Sequence, residues 1–337
     1  MNRKHFSRRA FMTGLTLVGS AGWLGVRPEP VGADPPPETT TLKLVQFPIA
    51  CFAPYYLAEE LLRGEGFTDV RYAKLAPSQT NLKALSSGDV HLTVTDIHTA
   101  LLHLDAEASI VLLAGVHGGC YELFGTNGVR AVRELKGRIV SVANPGRQAF
   151  VASMAAWIGL NPSKDIDFLM QPASSGMELF AQGVVDAFMG FPPDPQELRT
   201  KKVGSVLVDT KVDRPWSQYL CCFLAANPAF VRRYPVATKR AMRAILKAID
   251  ICAADPDRAA RALVGRGYTA RPEFALQALK EIPYNLWRGY SPSDTMRFHA
   301  IRLHEVGIIK SSPQAVIAQG TDWRFLNAPK KELELKG

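Results

Sequence analysis

The chain contains 337 residues, of which 47% are hydrophobic and 21% charged, and its formal net charge is +9. This is the composition of a globular protein long enough for about two domains, and it excludes a collagen, a coiled coil, a disordered chain and a disulfide-stabilised miniprotein. Part of the basic excess lies in the first 33 residues and no Lys/Arg-rich block follows it, so we expect no nucleic-acid partner, whereas an anionic small molecule stays open as a ligand.

The first 33 residues have the pattern of an export signal. A paired-arginine motif, Ser7-Arg8-Arg9-Ala10-Phe11-Met12, precedes an uncharged stretch that ends at Val26. This stretch is shorter than the ~20 residues that a membrane-spanning helix needs, and Val31-Gly32-Ala33 offers small residues for cleavage. The segment therefore resembles a twin-arginine signal peptide, recognised by the twin-arginine export machinery and cut after Ala33.

Such a signal predicts a periplasmic protein that is soluble after cleavage, with residues 34–41 as a linker. The alternative is a buried N-terminal helix, which the four glycines of the uncharged stretch disfavour.

Two parts of the chain carry the same order of predicted elements, 95 residues apart. Residues 82–93 and 177–188 each predict a short helix, a glycine at its C-terminal cap and a buried strand. Corresponding strand–helix units precede them, at 42–47 with 54–63 and at 138–143 with 148–158. Each half is therefore β-loop-α-β-α-β, and so long a repeat indicates two similar α/β domains rather than a solenoid.

Beyond Asn227 the sequence predicts a helical tail whose helices are bounded by prolines. The predicted helices cover residues 235–254, 257–264, 272–282, 292–306 and 314–319.

The cysteines, Cys51, Cys120, Cys221, Cys222 and Cys252, do not have the spacing of a metal site. An odd number of cysteines in an exported chain leaves at least one thiol without an intramolecular partner. Cys221 and Cys222 lie in an apolar run, so we expect buried thiols that pack as small hydrophobes, with a catalytic or metal role as the alternative. No metal site and no cofactor are predicted.

Four segments together resemble the solute-binding proteins of ABC importers, in the branch that binds nitrate, sulfonates, taurine and thiamine-pyrimidine precursors. They are Phe52–Glu59, the pair of helix–glycine–strand units, Leu135–Ala143 and Asn227–Pro235. The resemblance covers about residues 42–320 and implies a type II periplasmic-binding-protein fold. Its two similar α/β lobes, with a helical C-terminal tail, would close on a small-molecule ligand.

The resemblance also implies an ABC permease and an ATPase as partners, and we expect a monomer. Lobe one would comprise residues 42–125 and 215–337, including the tail, and lobe two residues 126–214.

Candidate binding residues follow from the rule that ligands bind beyond the carboxyl ends of the strands in open α/β sheets. Loops at these ends, and the segment that crosses between the lobes, supply aromatic and polar side chains: Phe52, Asp96, His98, His117, Arg147, Gln148, Phe191, Trp216 and Tyr219.

Arg147 is the strongest candidate because it lies at a helix start, where backbone N–H groups already favour an anion and a guanidinium can add a bidentate contact. Its alternative is a solvated surface position. Asp96 could instead cap a helix, and His98 and His117 could be polar core or surface residues.

Motifs of hydrolases, phosphate-binding loops and dinucleotide sites are absent from the sequence, which favours a binding protein over an enzyme. We expect it to bind a small organic solute with a planar or apolar body and an anionic or strongly hydrogen-bond-accepting group, with a thiamine-type pyrimidine as the alternative ligand. One alternative is a pyrimidine-precursor biosynthetic enzyme of the same fold. Cys221-Cys222-Phe223 weakly resembles the cysteine-rich run of such enzymes. The other is a ligand-sensing module.

Overall fold

The computed structural model describes residues 34–334 except 48, 77–78, 127 and 270, with side chains up to residue 331. The predicted signal peptide therefore lies outside the described residues. The chain divides into two compact units, residues 1–35 and 36–337, and the fold below is that of the second unit.

Two five-stranded sheets form the centre of this unit. The first has the order β2-β1-β3-β10-β4, and the second has the order β7-β6-β8-β5-β9. The strands are β1 (Thr41–Gln46), β2 (Asp69–Lys74), β3 (Leu92–Asp96), β4 (Val111–His117), β5 (Glu122–Gly125), β6 (Arg138–Val142), β7 (Ile166–Met170), β8 (Ala187–Gly190), β9 (Ser205–Asp209) and β10 (Cys222–Ala226).

The two sheets are built alike. In each, three parallel strands are followed by an antiparallel strand, β10 in the first sheet and β5 in the second. All residues of β4 and β10 are buried, because helices or other strands cover both faces of the sheet. The predicted repeat of β-loop-α-β-α-β is therefore present as two corresponding sheets.

Helices surround both sheets. Before β10 they are α1 (Ala53–Gly64), α2 (Asn81–Ser87), α3 (Ile97–Asp105), α4 (Pro145–Trp157), α5 (Pro162–Asp165), α6 (Ala173–Ala181) and α7 (Asp194–Lys201). The tail contains α8 (Pro228–Arg233), α9 (Pro235–Ala254), α10 (Pro256–Gly265), α11 (Pro272–Glu281), α12 (Pro292–Glu305), α13 (Pro313–Gly320) and α14 (Arg324–Glu334). In the part of the chain that the structure describes, no helix is long and apolar enough to cross a bilayer.

Local signals account for most helix boundaries. Gly88 ends α2 in the left-handed conformation, with φ at 83°, as a glycine cap requires. Prolines begin each tail helix from α8 to α13, where the missing N–H of proline costs nothing. Helix α6 begins at Ala173, and Pro172 precedes it without a capping side chain.

The chain crosses between the sheets twice, and the two crossovers run side by side. Thr210 donates its backbone N–H to the carbonyl of Tyr121 at 3.0 Å, and Tyr121 donates its own to Oγ1 of Thr210 at 2.9 Å. A Cβ atom on Gly119 would lie 2.0 Å from the carbonyl oxygen of Thr210. Only glycine lets the two backbones come this close.

Candidate functional site

A cavity of about 280 Å³ lies at the carboxyl ends of the strands, between the two sheets. Phe52, Thr95 and Asp96 line it from the side of the first sheet, and Asn144, Arg147 and Phe191 from the side of the second. A larger cavity of about 920 Å³ shares Phe47, Asn81, Thr99 and Asn144 with it. The two cavities form one cleft, in the position that the strand-end rule predicts.

Arg147 brings a buried cation to this cleft. Asn144 caps α4 by accepting the backbone N–H of Arg147 at 2.9 Å, and Pro145 opens the helix. The side chain then turns inward: Arg147 is only 5% exposed, and its Cζ lies 3.7 Å from the ring centroid of Phe191.

The guanidinium of Arg147 is not satisfied by the protein. Its Nε and Nη1 atoms are buried without a hydrogen-bond partner, and none of the described residues forms an ion pair with it. Burying a charge without a partner is costly, whereas a bidentate oxyanion would supply the missing acceptors. The arrangement is therefore suited to an anion in the cavity.

Asp96 has the capping role that sequence analysis gave as its alternative. Its Oδ1 accepts the backbone N–H of Thr99 at 2.9 Å and so begins α3. The residue also lines the cavity, so its carboxylate helps to set the shape and polarity of the wall opposite Arg147.

His98 lies behind this wall and does not line the cavity. Its Nε2 is 3.0 Å from Nδ1 of His299, and its ring stacks on Phe150 with 3.9 Å between centroids. Burial and the neighbouring His299 hold the pKa of His98 well below its usual range, and burial lowers the pKa of His299 to about 3. Both imidazoles are therefore neutral near pH 7, and His98 supports the wall through packing.

Trp216, Tyr219 and Gln148 lie away from the cavity, although sequence analysis placed them among the binding residues. Tyr219 stacks on Phe298 at 4.1 Å, and Trp216 packs against the same ring at 5.8 Å. This follows from the crossover being held on α12, where Thr295 accepts the backbone N–H of Leu220 at 3.2 Å. Gln148 is on another face of α4 and lines a separate cavity. A direct ligand contact from these three side chains stays a prediction.

His117 is fully buried and is not part of the cavity lining, but it lies beside thiols that are. Cys51, Cys120 and Cys222 all line the cavity, and their packing as buried side chains agrees with the sequence expectation. Asn144 and Tyr121 also line the cavity, although they were not among the nine candidate side chains. An asparagine directly before a proline is a helix-start signal, and this signal could have identified Asn144.

An ion-pair network connects α7, beside the cavity, to the helical tail. Arg271 precedes α11 and donates to the carboxylates of Asp194 and Glu197, whose side chains are 2% and 9% exposed. Asp194 also accepts the backbone N–H of Phe191 at 3.4 Å. The loop that carries Phe191 is therefore held by the same carboxylate that Arg271 neutralises.

Helices α3 and α4 meet across the cleft at Gly146. A Cβ atom there would lie 2.0 Å from Oγ1 of Thr99 and 2.9 Å from its backbone nitrogen. We expect Gly146→Ala to destabilise this arrangement by about 1–3 kcal/mol, the usual cost of overpacking, and to move the two sheets apart. The free energy of unfolding and the radius of gyration in solution measure the two effects. The matched control is Gly289→Ala, where a Cβ would meet no atom within 4 Å; identical behaviour of the two variants would contradict the prediction.

Comparison with known proteins places this cleft in a family context. The model of a family described as NMT1/THI5 like matches residues 50–259. The bicarbonate-binding protein CmpA of Synechococcus sp. is 28% identical over 125 residues, which are 36% of this chain and 27% of that protein. The matched segment thus spans about a quarter of the length of this relative.

Solved structures resemble the chain over most of its length. The periplasmic nitrate-binding protein NrtA from Synechocystis PCC 6803 has a TM-score of 0.76 at 16% identity, covering 89% of this chain and 91% of that one. The alkanesulfonate-binding protein SsuA from Xanthomonas axonopodis pv. citri, bound to MOPS, has a TM-score of 0.68 at 16% identity, covering 86% and 99%. The predicted two-lobed periplasmic-binding-protein fold, with two similar α/β sheets, is confirmed.

Proposed function

This chain belongs to the NMT1/THI5-like family, and from that premise we propose that it is the extracytoplasmic solute-binding component of an ABC importer. It would capture a small anionic solute between its two lobes, as a monomer, and deliver it to a permease driven by an ATPase. The observation that carries this proposal is the buried guanidinium of Arg147, which faces the cleft cavity with two nitrogen atoms that have no hydrogen-bond partner among the described residues.

The relatives support an anion as the ligand. They are named as proteins that bind bicarbonate, nitrate and an alkanesulfonate, and all three are oxyanions. A planar delocalised cation such as a guanidinium matches the geometry of carboxylates and sulfonates better than an ammonium does.

The walls of the cavity narrow the class of anion. Phe52, Tyr121 and Phe191 present aromatic surface, which favours a ligand with an apolar or planar body. The volume of about 280 Å³ is at the lower end of small-molecule sites. We therefore propose a small organic carboxylate or sulfonate, in preference to a bare inorganic ion.

Matched ligand pairs test this proposal. Benzoate and benzamide have the same planar body, and propionate and propionamide have the same short chain. In each pair only the acid is an anion. A ligand at 100 times its dissociation constant stabilises a protein by about 2.7 kcal/mol, so thermal unfolding with each compound, followed by calorimetry, ranks them. We expect stabilisation by an organic acid or a sulfonate and none by the amides. Equal stabilisation by both members of each pair would contradict an anion-specific site.

For residues 1–33 we propose a cleaved twin-arginine signal. Replacing Arg8 and Arg9 with lysine should leave the precursor in the cytoplasm, since the export machinery recognises the arginine pair. Cell fractionation measures the distribution of the protein. Arg3→Lys with Arg27→Lys removes two other N-terminal arginines and serves as the control; efficient export of the Arg8/Arg9 variant would contradict the assignment.

A further inference from the structure

Four side chains with metal-binding atoms meet where the first sheet joins the crossovers. They are Cys51, His117, Cys120 and Cys222, and one ligand atom from each lies within 4.8 Å of the others. None of the four is more than 3% exposed. Cys51 follows β1, His117 and Cys120 lie at the end of β4, and Cys222 begins β10, so three separate segments supply the set.

His117 is oriented as metal-binding histidines usually are. Its Nδ1 lies 2.6 Å from the carbonyl oxygen of Gly118, and because a carbonyl only accepts, Nδ1 carries the proton. The lone pair is then on Nε2, which is buried without a hydrogen-bond partner among the described residues. A backbone carbonyl that fixes the tautomer while the other nitrogen stays free is the usual outer-shell partner of a histidine ligand.

The sulfur atoms of the cluster lie close together, and a fourth cysteine is next to them. The Sγ atom of Cys221 is 3.4 Å from that of Cys120, although Cys221 is not one of the four.

We propose that Cys51, His117, Cys120 and Cys222 bind one Zn²⁺ ion in a tetrahedral site of three sulfurs and one nitrogen. A tetrahedron with Zn–S bonds of about 2.3 Å has edges of ~3.8 Å, so the ligand atoms need to close in by only about an ångström. Each thiol passes its proton to water as its sulfur bonds to the metal, so uptake of Zn²⁺ releases protons. Hard-cation ligands are missing from the set, which excludes a calcium- or magnesium-type site.

The ion would connect the loop after β1, the crossover after β4 and the start of β10. It would thereby stiffen the base of the cleft without occupying the position of Arg147. This inference depends only on the four side chains and holds or fails independently of the proposed transport function.

The test uses the full chain, reduced and freed of metal by a chelator, then titrated with Zn²⁺ or with Co²⁺ as a spectroscopic probe. We expect one ion per chain, a sulfur-to-cobalt charge-transfer band, and proton release on binding. X-ray absorption of the zinc form should show three sulfurs at about 2.3 Å and one nitrogen at about 2.0 Å. Because it uses the unaltered chain, this measurement is decisive even if a variant fails to fold.

Variants then assign the ligands. Cys120→Ser and Cys222→Ser should each weaken Zn²⁺ binding at least 100-fold. The matched control is Cys252→Ser, which alters an equally buried thiol in α9 outside the cluster and should bind normally. A reduced chain that takes up no stoichiometric zinc, a coordination sphere without sulfur, or equal losses in the Cys252 and Cys120 variants would overturn the proposal. The proposal would also be overturned if the cysteines formed only a Cys120–Cys221 disulfide on oxidation and did not bind metal.

Discussion

Replacing Arg147 with alanine should weaken the binding of an anionic ligand by about 1.5–3 kcal/mol, the value of hydrogen bonds to a charged group. This corresponds to a dissociation constant roughly 10 to 150 times larger. The ligand-free protein should lose little stability, because the substitution removes a buried guanidinium that has no anionic partner of its own. Calorimetric titration measures the first effect and denaturant unfolding the second.

Two further variants separate charge from geometry. Arg147→Lys keeps the positive charge but loses the planar guanidinium. Its affinity for the anionic ligand should therefore lie between those of the unaltered protein and of Arg147→Ala. Arg133→Ala removes an exposed arginine of the same lobe and should bind normally. Unchanged affinity in Arg147→Ala would remove the basis for the anion site.

Arg271→Ala should cause the largest loss of stability among the ion-pair variants. It leaves the Asp194 carboxylate, which is only 2% exposed, without an ion-pair partner among the described residues, whereas Glu197 keeps its ion pair with Lys201. Breaking a buried ion pair from one side costs about 3–5 kcal/mol, because the remaining charge is uncompensated. Ligand affinity should fall as well, since Asp194 also holds the backbone of Phe191.

The free energy of unfolding measures this effect, with Arg266→Ala as the control. Arg266 pairs with Glu59 nearer to the surface, where ion pairs contribute about 0–1 kcal/mol. Adding Asp194→Asn to Arg271→Ala should recover part of the loss, because the stranded charge is removed. Equal stability of the Arg271 and Arg266 variants would show that the buried network contributes nothing beyond a surface pair.

The fold could be predicted from the sequence because its signals are local and occur twice. A glycine that ends a helix, as Gly88 does, followed by a run of apolar residues, indicates a helix and a buried strand wherever it occurs. Prolines predicted the starts of the tail helices because they too are local signals.

The site was harder to predict because it depends on where side chains point after distant segments meet. Arg147 was found from its position at a helix start, and only the structure shows that its guanidinium is buried and unpartnered. The same dependence explains why Trp216 was expected at the cleft but packs on α12. In the cluster of Cys51, His117, Cys120 and Cys222 only His117 and Cys120 are close in sequence, since the members come from three segments.

The paired crossovers have a mechanical consequence. Because their backbones are hydrogen-bonded to each other at Tyr121 and Thr210, we expect the two lobes to rotate about one short shared axis. Motion about such an axis is a rotation, so the displacement of each residue grows in proportion to its distance from the axis. A small rotation at the crossovers would therefore displace the far rims of the lobes more than the residues beside Gly119. The rims are therefore where a pair of spectroscopic labels would report opening with the greatest sensitivity.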